Sequence, residues 1–184
     1  LAQHHLDAMI LGVDISNHAI ELALRNKAAI PFAANVSFIH KHFNDLNNDL
    51  IPLDLIICNP PYFKSSLLPV NLERQRQRHA TNFNFDSFAT FSNRHLVKDG
   101  CVCMVIPYYF ETELSFRMSL EGLYLLDLVI VKHTDSSEPS LCLCRYVLRQ
   151  GKLNKTNLIL FKDDNTLTPA FRDLTYPFLN FNKE

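Results

Sequence analysis

At 184 residues, with 47% apolar side chains and a net charge of −1, the chain has the material for one domain with a sizeable core, and it lacks the excess charge of a globally basic nucleic-acid binder. Its apolar runs stop short of the roughly 18 residues that a membrane span needs, and no basic stretch followed by an apolar one marks a signal peptide. The five cysteines are an odd number, which argues against a secreted disulfide framework and fits a cytoplasmic setting.

The opening stretch LAQHHLDAMILGVDIS reads as the last turn of a helix entering a strand, so the chain is expected to begin in mid-fold. Residues 7 to 15 form an apolar strand ending at Asp14. Ser16 is a suitable N-cap for a helix that places Ile20, Ala23, Leu24 and Lys27 at helical spacing and stops near AAIPF. Short strands follow at 36 to 40 and 54 to 58, then a long polar connection over 59 to 84, the kind of strand-end loop in which sites tend to lie. A helix is expected at about 85 to 97, bounded by Gly100, then a strand over 101 to 106 within CVCMVIP and a helix at about 111 to 121 ending at Gly122. The β-rich runs 124 to 132 and 140 to 149 flank HTDSSEP as an antiparallel hairpin, NLILFK at 157 to 162 reads as a further strand, and 167 to 176 as a last helix. Alternating strands and helices predict an α/β domain with a mostly parallel sheet, covered on both faces and finished by the hairpin.

The stretch DLIICNPPYF carries the chemistry. Pro60 and Pro61 each fix φ and push the preceding residue out of the helical region, so the corner is stiff before any ligand arrives. Neither proline has an N–H, and the loop is therefore rich in carbonyl acceptors; with the Asn59 side-chain oxygen it can take two hydrogen bonds from an –NH2 group, while Tyr62 offers a ring face for a planar group. A conjugated amine is a poor nucleophile because its lone pair is delocalised. Two acceptors pulling on its hydrogens favour a pyramidal nitrogen, which is charge stabilisation in the transition state, with a methyl sulfonium as the natural electrophile. The plainer reading of a Pro-Pro-Tyr turn is a strand stop, and the surrounding chain is what favours the clamp. Ligands of open α/β sheets sit outside the carboxyl ends of strands, where both Asn59 and Asp14 fall. Asp14 suits either a ribose diol or the dipole of the helix that follows, and the ribose role is preferred.

Cys101/Cys103 and Cys142/Cys144 are spaced i, i+2 within apolar runs and read as small hydrophobes on strands rather than metal ligands; the eight histidines form no metal-binding grouping, and no metal is expected. Between Lys64 and Lys98 six Lys/Arg stand against Glu73 and Asp86, a local +4 that leaves −5 for the rest. The run ERQRQRH suits either a solvated helix face or phosphate contact.

GVDIS, DLIICNPPYF, CVCMVIP and the hairpin resemble class I S-adenosylmethionine-dependent methyltransferases with an NPPY motif. NPPYF followed by RQRQRHA, with the tail LTPAFRDLTYPFLNF, resembles more narrowly the bacterial tRNA1(Val) (adenine-N6)-methyltransferase family. The resemblance implies a Rossmann-like sheet over a single domain, 1–184, and transfer of a methyl group from S-adenosyl-L-methionine to a tRNA adenine by a cytoplasmic monomer. It implies that Asn59, Pro60, Pro61 and Tyr62 form the catalytic corner and that Tyr62 or Phe63 stacks the base. Asp14 and Ile15 lie at the cofactor ribose, and Arg74, Arg76, Arg78 and His79 meet the RNA. Two departures stand out. The glycine-rich turn and first, central strand of the family would precede Leu1, so this chain alone is expected to bind cofactor poorly. His42 occupies the place of an acidic residue that holds the cofactor adenine, leaving that contact to His42 or the Phe43 backbone. The rival readings are a glutamine-N5 methyltransferase acting on a release factor or ribosomal protein, and a non-catalytic RNA-binding relative.

Overall fold

Ser16 stands just past the first strand and starts the first helix. Its hydroxyl accepts the Ala19 N–H at 3.3 Å, satisfying one of the orphan donors of α1 (Asn17–Ala28), and its own N–H is bound by Asp14 Oδ1 at 2.7 Å. The computed structural model describes residues 1–31, 33–46, 50–61, 83–176 and 178, and divides them into two compact units, Leu1–Ile51 and Pro52–Glu184.

In the first unit β1 (Ile10–Asp14) pairs in parallel with β2 (Val36–His40), Asp14 standing opposite His40. α1 crosses between them, and Ile20 is its buried residue. A 3-10 turn over Phe43–Asp45 follows β2. Gly12 is required where it stands, because a Cβ there would lie 2.5 Å from Phe38 Cδ1 on the paired strand.

The second unit is a five-stranded sheet of order β3-β4-β6-β5-β7. Its strands are β3 (Leu53–Cys58), β4 (Leu96–Pro107), β5 (Tyr124–Lys132), β6 (Pro139–Val147) and β7 (Asn154–Ile159). β3 is parallel to β4 and β7 to β5, while β6 is antiparallel to both neighbours. β5 and β6 are the hairpin expected from the sequence, folded so that β6 lies between β4 and β5. The α/β class with a mostly parallel sheet is as read from the alternation of elements.

Period-two alternation decides what the sheet buries. Val102, Met104 and Ile106 of β4 and Cys142, Cys144 and Tyr146 of β6 are buried together with Phe88 and Ala89 of α2 (Phe85–His95) and Leu114 and Met118 of α3 (Glu111–Leu120). A hydroxyl chain ties α3 to this core: the Tyr146 hydroxyl lies 3.0 Å from Ser115 Oγ, which donates to Glu111 Oε1 at 2.8 Å. Burial pushes the Tyr146 phenol well above its ordinary pKa, so it stays a neutral partner. The intervening positions, Cys101, Cys103 and Arg145, are half-exposed, so the two cysteine pairs differ: Cys142 and Cys144 are buried, Cys101 and Cys103 less so. Arg145 is opposite both Cys103 and Asp127, and Asp127 is opposite Asn154. Asp127 accepts from Arg145 Nε at 2.6 Å and from Asn154 Nδ2 at 3.0 Å, and the Asn154 bond followed by the Arg145 contact holds its carboxyl below the usual range.

α3 stops as its glycine predicts. Gly122 has φ 72°, its N–H meets Ser119 O at 3.0 Å and Leu123 N–H meets Met118 O at 3.0 Å, a Schellman pair with buried Leu123 closing over the turn. Several boundaries differ from the sequence reading: β1 begins at Ile10 rather than residue 7, and β7 ends at Ile159 rather than residue 162. β4 starts at Leu96, straight from α2, rather than at Cys101, because Leu96 is buried and pairs with Leu53. β7 starts at polar Asn154 rather than Asn157, because backbone pairing with Asp127 and the Asn154 side-chain bond reward those residues as strand. α4 (Pro169–Thr175) is capped by Thr168, whose hydroxyl accepts the Phe171 N–H at 3.3 Å. Among the described residues no helix is long and apolar enough to cross a membrane.

Candidate active site

In the second unit, the corner singled out from the sequence begins at the carboxyl end of β3. Cys58 is level with Met104 in the parallel ladder, and Asn59 leaves the strand directly after it. Asn59 is exposed, Pro60 is buried and Pro61 is exposed. The middle residue is thus covered by the protein, and its neighbours stay within reach of solvent. Burial raises the Cys58 thiol to about 12, so the group directly behind Asn59 carries neither charge nor nucleophilic thiolate at neutral pH. Tyr62, Phe63, Arg74, Arg76, Arg78 and His79, named from the sequence, lie outside the described residues.

In the first unit, Asp14 ends β1 exposed, its Oδ1 taking the Ser16 N–H and its backbone oxygen the Lys41 N–H at 3.1 Å. Both roles weighed for Asp14 therefore have a footing, since the carboxylate stands one residue ahead of the helix cap and keeps a second oxygen. Ile15 is exposed, and its carbonyl meets His40 Nε2 at 2.9 Å. That bond ties the end of β2 to the turn after β1, and the sequence reading did not anticipate it; a histidine closing the neighbouring parallel strand was the available signal.

His42 is used in a way that the sequence did not suggest. It caps the 3-10 turn, its Nδ1 accepting the Asn44 N–H at 3.2 Å, with its ring 4.4 Å from that of Phe43. An Nδ1 that accepts leaves the neutral tautomer protonated on Nε2. The free ring nitrogen is then a donor. An acidic side chain at this place could only accept, whereas His42 in this tautomer presents a donor at Nε2.

In the first unit the residues present suit parts of S-adenosyl-L-methionine: an exposed carboxylate at a strand's carboxyl end for a ribose diol and a half-buried Phe43 for a flat base.

Residues 2–108 match the family model described as "RMKL-like, methyltransferase domain". The tRNA1(Val) (adenine(37)-N6)-methyltransferase of Escherichia fergusonii is 25% identical over 186 residues, covering 98% of this chain and 75% of that protein. The enzyme of the same name from Yersinia enterocolitica is 25% identical over 178 residues, covering 95% and 70%. Among solved structures, a predicted O-methyltransferase from Agrobacterium tumefaciens superposes with a TM-score of 0.71 at 15% identity, over 92% of this chain and 77% of that one. A 16S rRNA (adenine(1408)-N(1))-methyltransferase from Catenulisporales acidiphilia superposes with a TM-score of 0.55 at 15% identity, over 82% and 78%. These two likenesses are of fold.

Proposed function

Because the chain belongs to the RMKL-like methyltransferase domain family, whose donor is S-adenosyl-L-methionine, we propose that it methylates the N6 amino group of an unpaired adenine in a tRNA loop. The observation that carries this reading is the exposed Asn59 held beside a buried Pro60 at the carboxyl end of β3. The names of the Escherichia fergusonii and Yersinia enterocolitica relatives, together with coverage of nearly the whole of this chain, favour tRNA over a protein glutamine. A cytoplasmic protein acting as a monomer accords with that substrate.

The bound cofactor supplies an electrophilic methyl group. Asp14 would hold its ribose hydroxyls and the Phe43 segment its adenine, with His42 Nε2–H donating to a ring nitrogen. The Asn59 side-chain oxygen and the Pro60 carbonyl accept the two N6 hydrogens of the target. Holding those hydrogens out of the base plane concentrates the nitrogen lone pair toward the methyl group, and the acceptors stabilise the positive charge that grows on nitrogen during transfer. The surplus proton then leaves to water. Tyr62 or Phe63 would stack the splayed base, and Arg74, Arg76, Arg78 and His79 would meet phosphates of the loop.

The test incubates the full chain with methyl-labelled cofactor and either bulk tRNA or a release factor, followed by nucleoside analysis. N6-methyladenosine in tRNA is expected, with Asn59→Ala lowering the rate by roughly 100-fold or more, in line with loss of a positioned transition-state partner. Label in the release factor overturns the adenine reading; label in neither overturns the enzymatic one.

A further inference from the structure

The carboxyl edge of the larger sheet carries a second aromatic feature. β4 ends on Pro107 and turns directly into the 3-10 segment Tyr108–Phe110. The stretch PYYF there repeats the order found after the adjacent parallel strand β3, where NPPYF follows: strand, proline, rings. Phe110 is 8% exposed and fixes the turn to the core. Tyr109 lies against it, ring centroids 4.5 Å apart, and remains 47% exposed. Phe110 in turn meets Phe85 at 6.0 Å, and Phe83 meets Phe85 at 5.8 Å and Phe88 at 5.2 Å. Tyr109 is therefore an exposed ring on a foundation of packed rings, and a ring already held in place loses little rotamer freedom when a ligand lies on it.

Its place relative to Asn59 follows from the ladder. Cys58 is level with Met104, so β3 and β4 run side by side to their carboxyl ends, and Asn59 and Tyr109 both follow those ends on the same edge of the sheet. A nucleotide whose amino group sits at Asn59 would present its neighbour along this edge, which carries Tyr109. Single-stranded RNA is held in this way, each splayed base on its own ring, and contacts to flanking nucleotides set sequence context in enzymes that act on a base.

Resting on the RNA reading above, we propose that Tyr109 is the stacking platform for the nucleotide flanking the target adenine, and so a specificity-determining residue. The platform accepts any base, because every base has a π-face, and it discriminates against a missing one.

The experiment uses RNA hairpins with an unpaired adenine whose 5′ or 3′ neighbour is either a purine or an abasic site. They are methylated by the full chain, Tyr109→Ala and Tyr109→Phe, with Tyr109→Leu in place of the alanine variant should that fail to fold. Removing the flanking base on one side is expected to raise the wild-type KM by roughly 5- to 150-fold with kcat little changed. Tyr109→Ala should show the raised KM on intact RNA and no further response to the abasic site, Tyr109→Phe should restore the wild-type pattern, and binding of S-adenosylhomocysteine should be equal in all three. If the wild type methylates these RNAs and Tyr109→Ala still responds to the abasic site, the platform lies elsewhere and the adenine reading stands. A Tyr109→Phe variant as impaired as the alanine one overturns stacking as the role. If the wild type methylates no RNA, the reading beneath falls and this inference with it.

Discussion

Gly100 is the residue on which the register behind Asn59 depends. Between Leu53↔Leu96 and Leu55↔Cys101, β3 advances two residues while β4 advances five, and the surplus brings Gly100 against β3. A Cβ on Gly100 would lie 2.9 Å from the Asp54 carbonyl oxygen, 2.9 Å from Leu96 Cδ1 and 3.0 Å from Leu96 Cγ. The leucine can turn aside; the carbonyl belongs to backbone and moves only if β3 does. Overpacking of this kind costs about 1 to 3 kcal/mol, whereas Gly→Ala at a position outside the left-handed region returns about 0.4 to 1 kcal/mol through the unfolded chain. The clash wins, and Gly100→Ala should destabilise by about 0.5 to 2 kcal/mol, lowering Tm by roughly 2 to 6 °C for a chain of this length. Gly151→Ala is the matched control, because its Cβ meets only Leu126 Cδ1, at 2.8 Å, the movable end of a side chain. Thermal unfolding followed by circular dichroism measures both. A Gly100→Ala midpoint equal to or above wild type would refute the steric argument, and a loss as large in Gly151→Ala would show that any added methyl is harmful.

Ser92 Oγ is, among the described residues, the buried side-chain oxygen without a hydrogen-bond partner; Ser92→Ala removes an unsatisfied hydroxyl from α2 and should raise stability by about 1 kcal/mol in a denaturant titration, whereas a fall would mean that the hydroxyl is bound. Burial, aided by Arg94, holds His95 below its ordinary pKa of 6.5, so the unfolded chain takes up a proton before the folded one. The resulting stability is complete above about pH 6.5 and lost as the pH falls from there through the folded-state value; a His95→Gln variant should show a shallower loss over that window, and identical slopes would remove His95 from the acid response.

Much of this protein is legible in its sequence because the signals are local. The Ser16 and Thr168 caps and the Gly122 stop act on their own backbone, and each does in the fold what its chemistry requires. The hairpin and the α/β alternation were equally readable. What period two cannot say is which face the helices cover, so Cys101/Cys103 and Cys142/Cys144 looked alike in sequence and differ in burial. Nor does it say that β6 lies between β4 and β5, a choice made by long-range pairing. His42 as a cap with Nδ1 accepting, the Ile15–His40 bond and the exposed Tyr109 on its buried rings all depend on partners brought close by folding. A residue's type determines the interactions open to it, and tertiary structure determines which of them is made, because only packing decides what lies within 3 or 4 Å and what is left for a ligand.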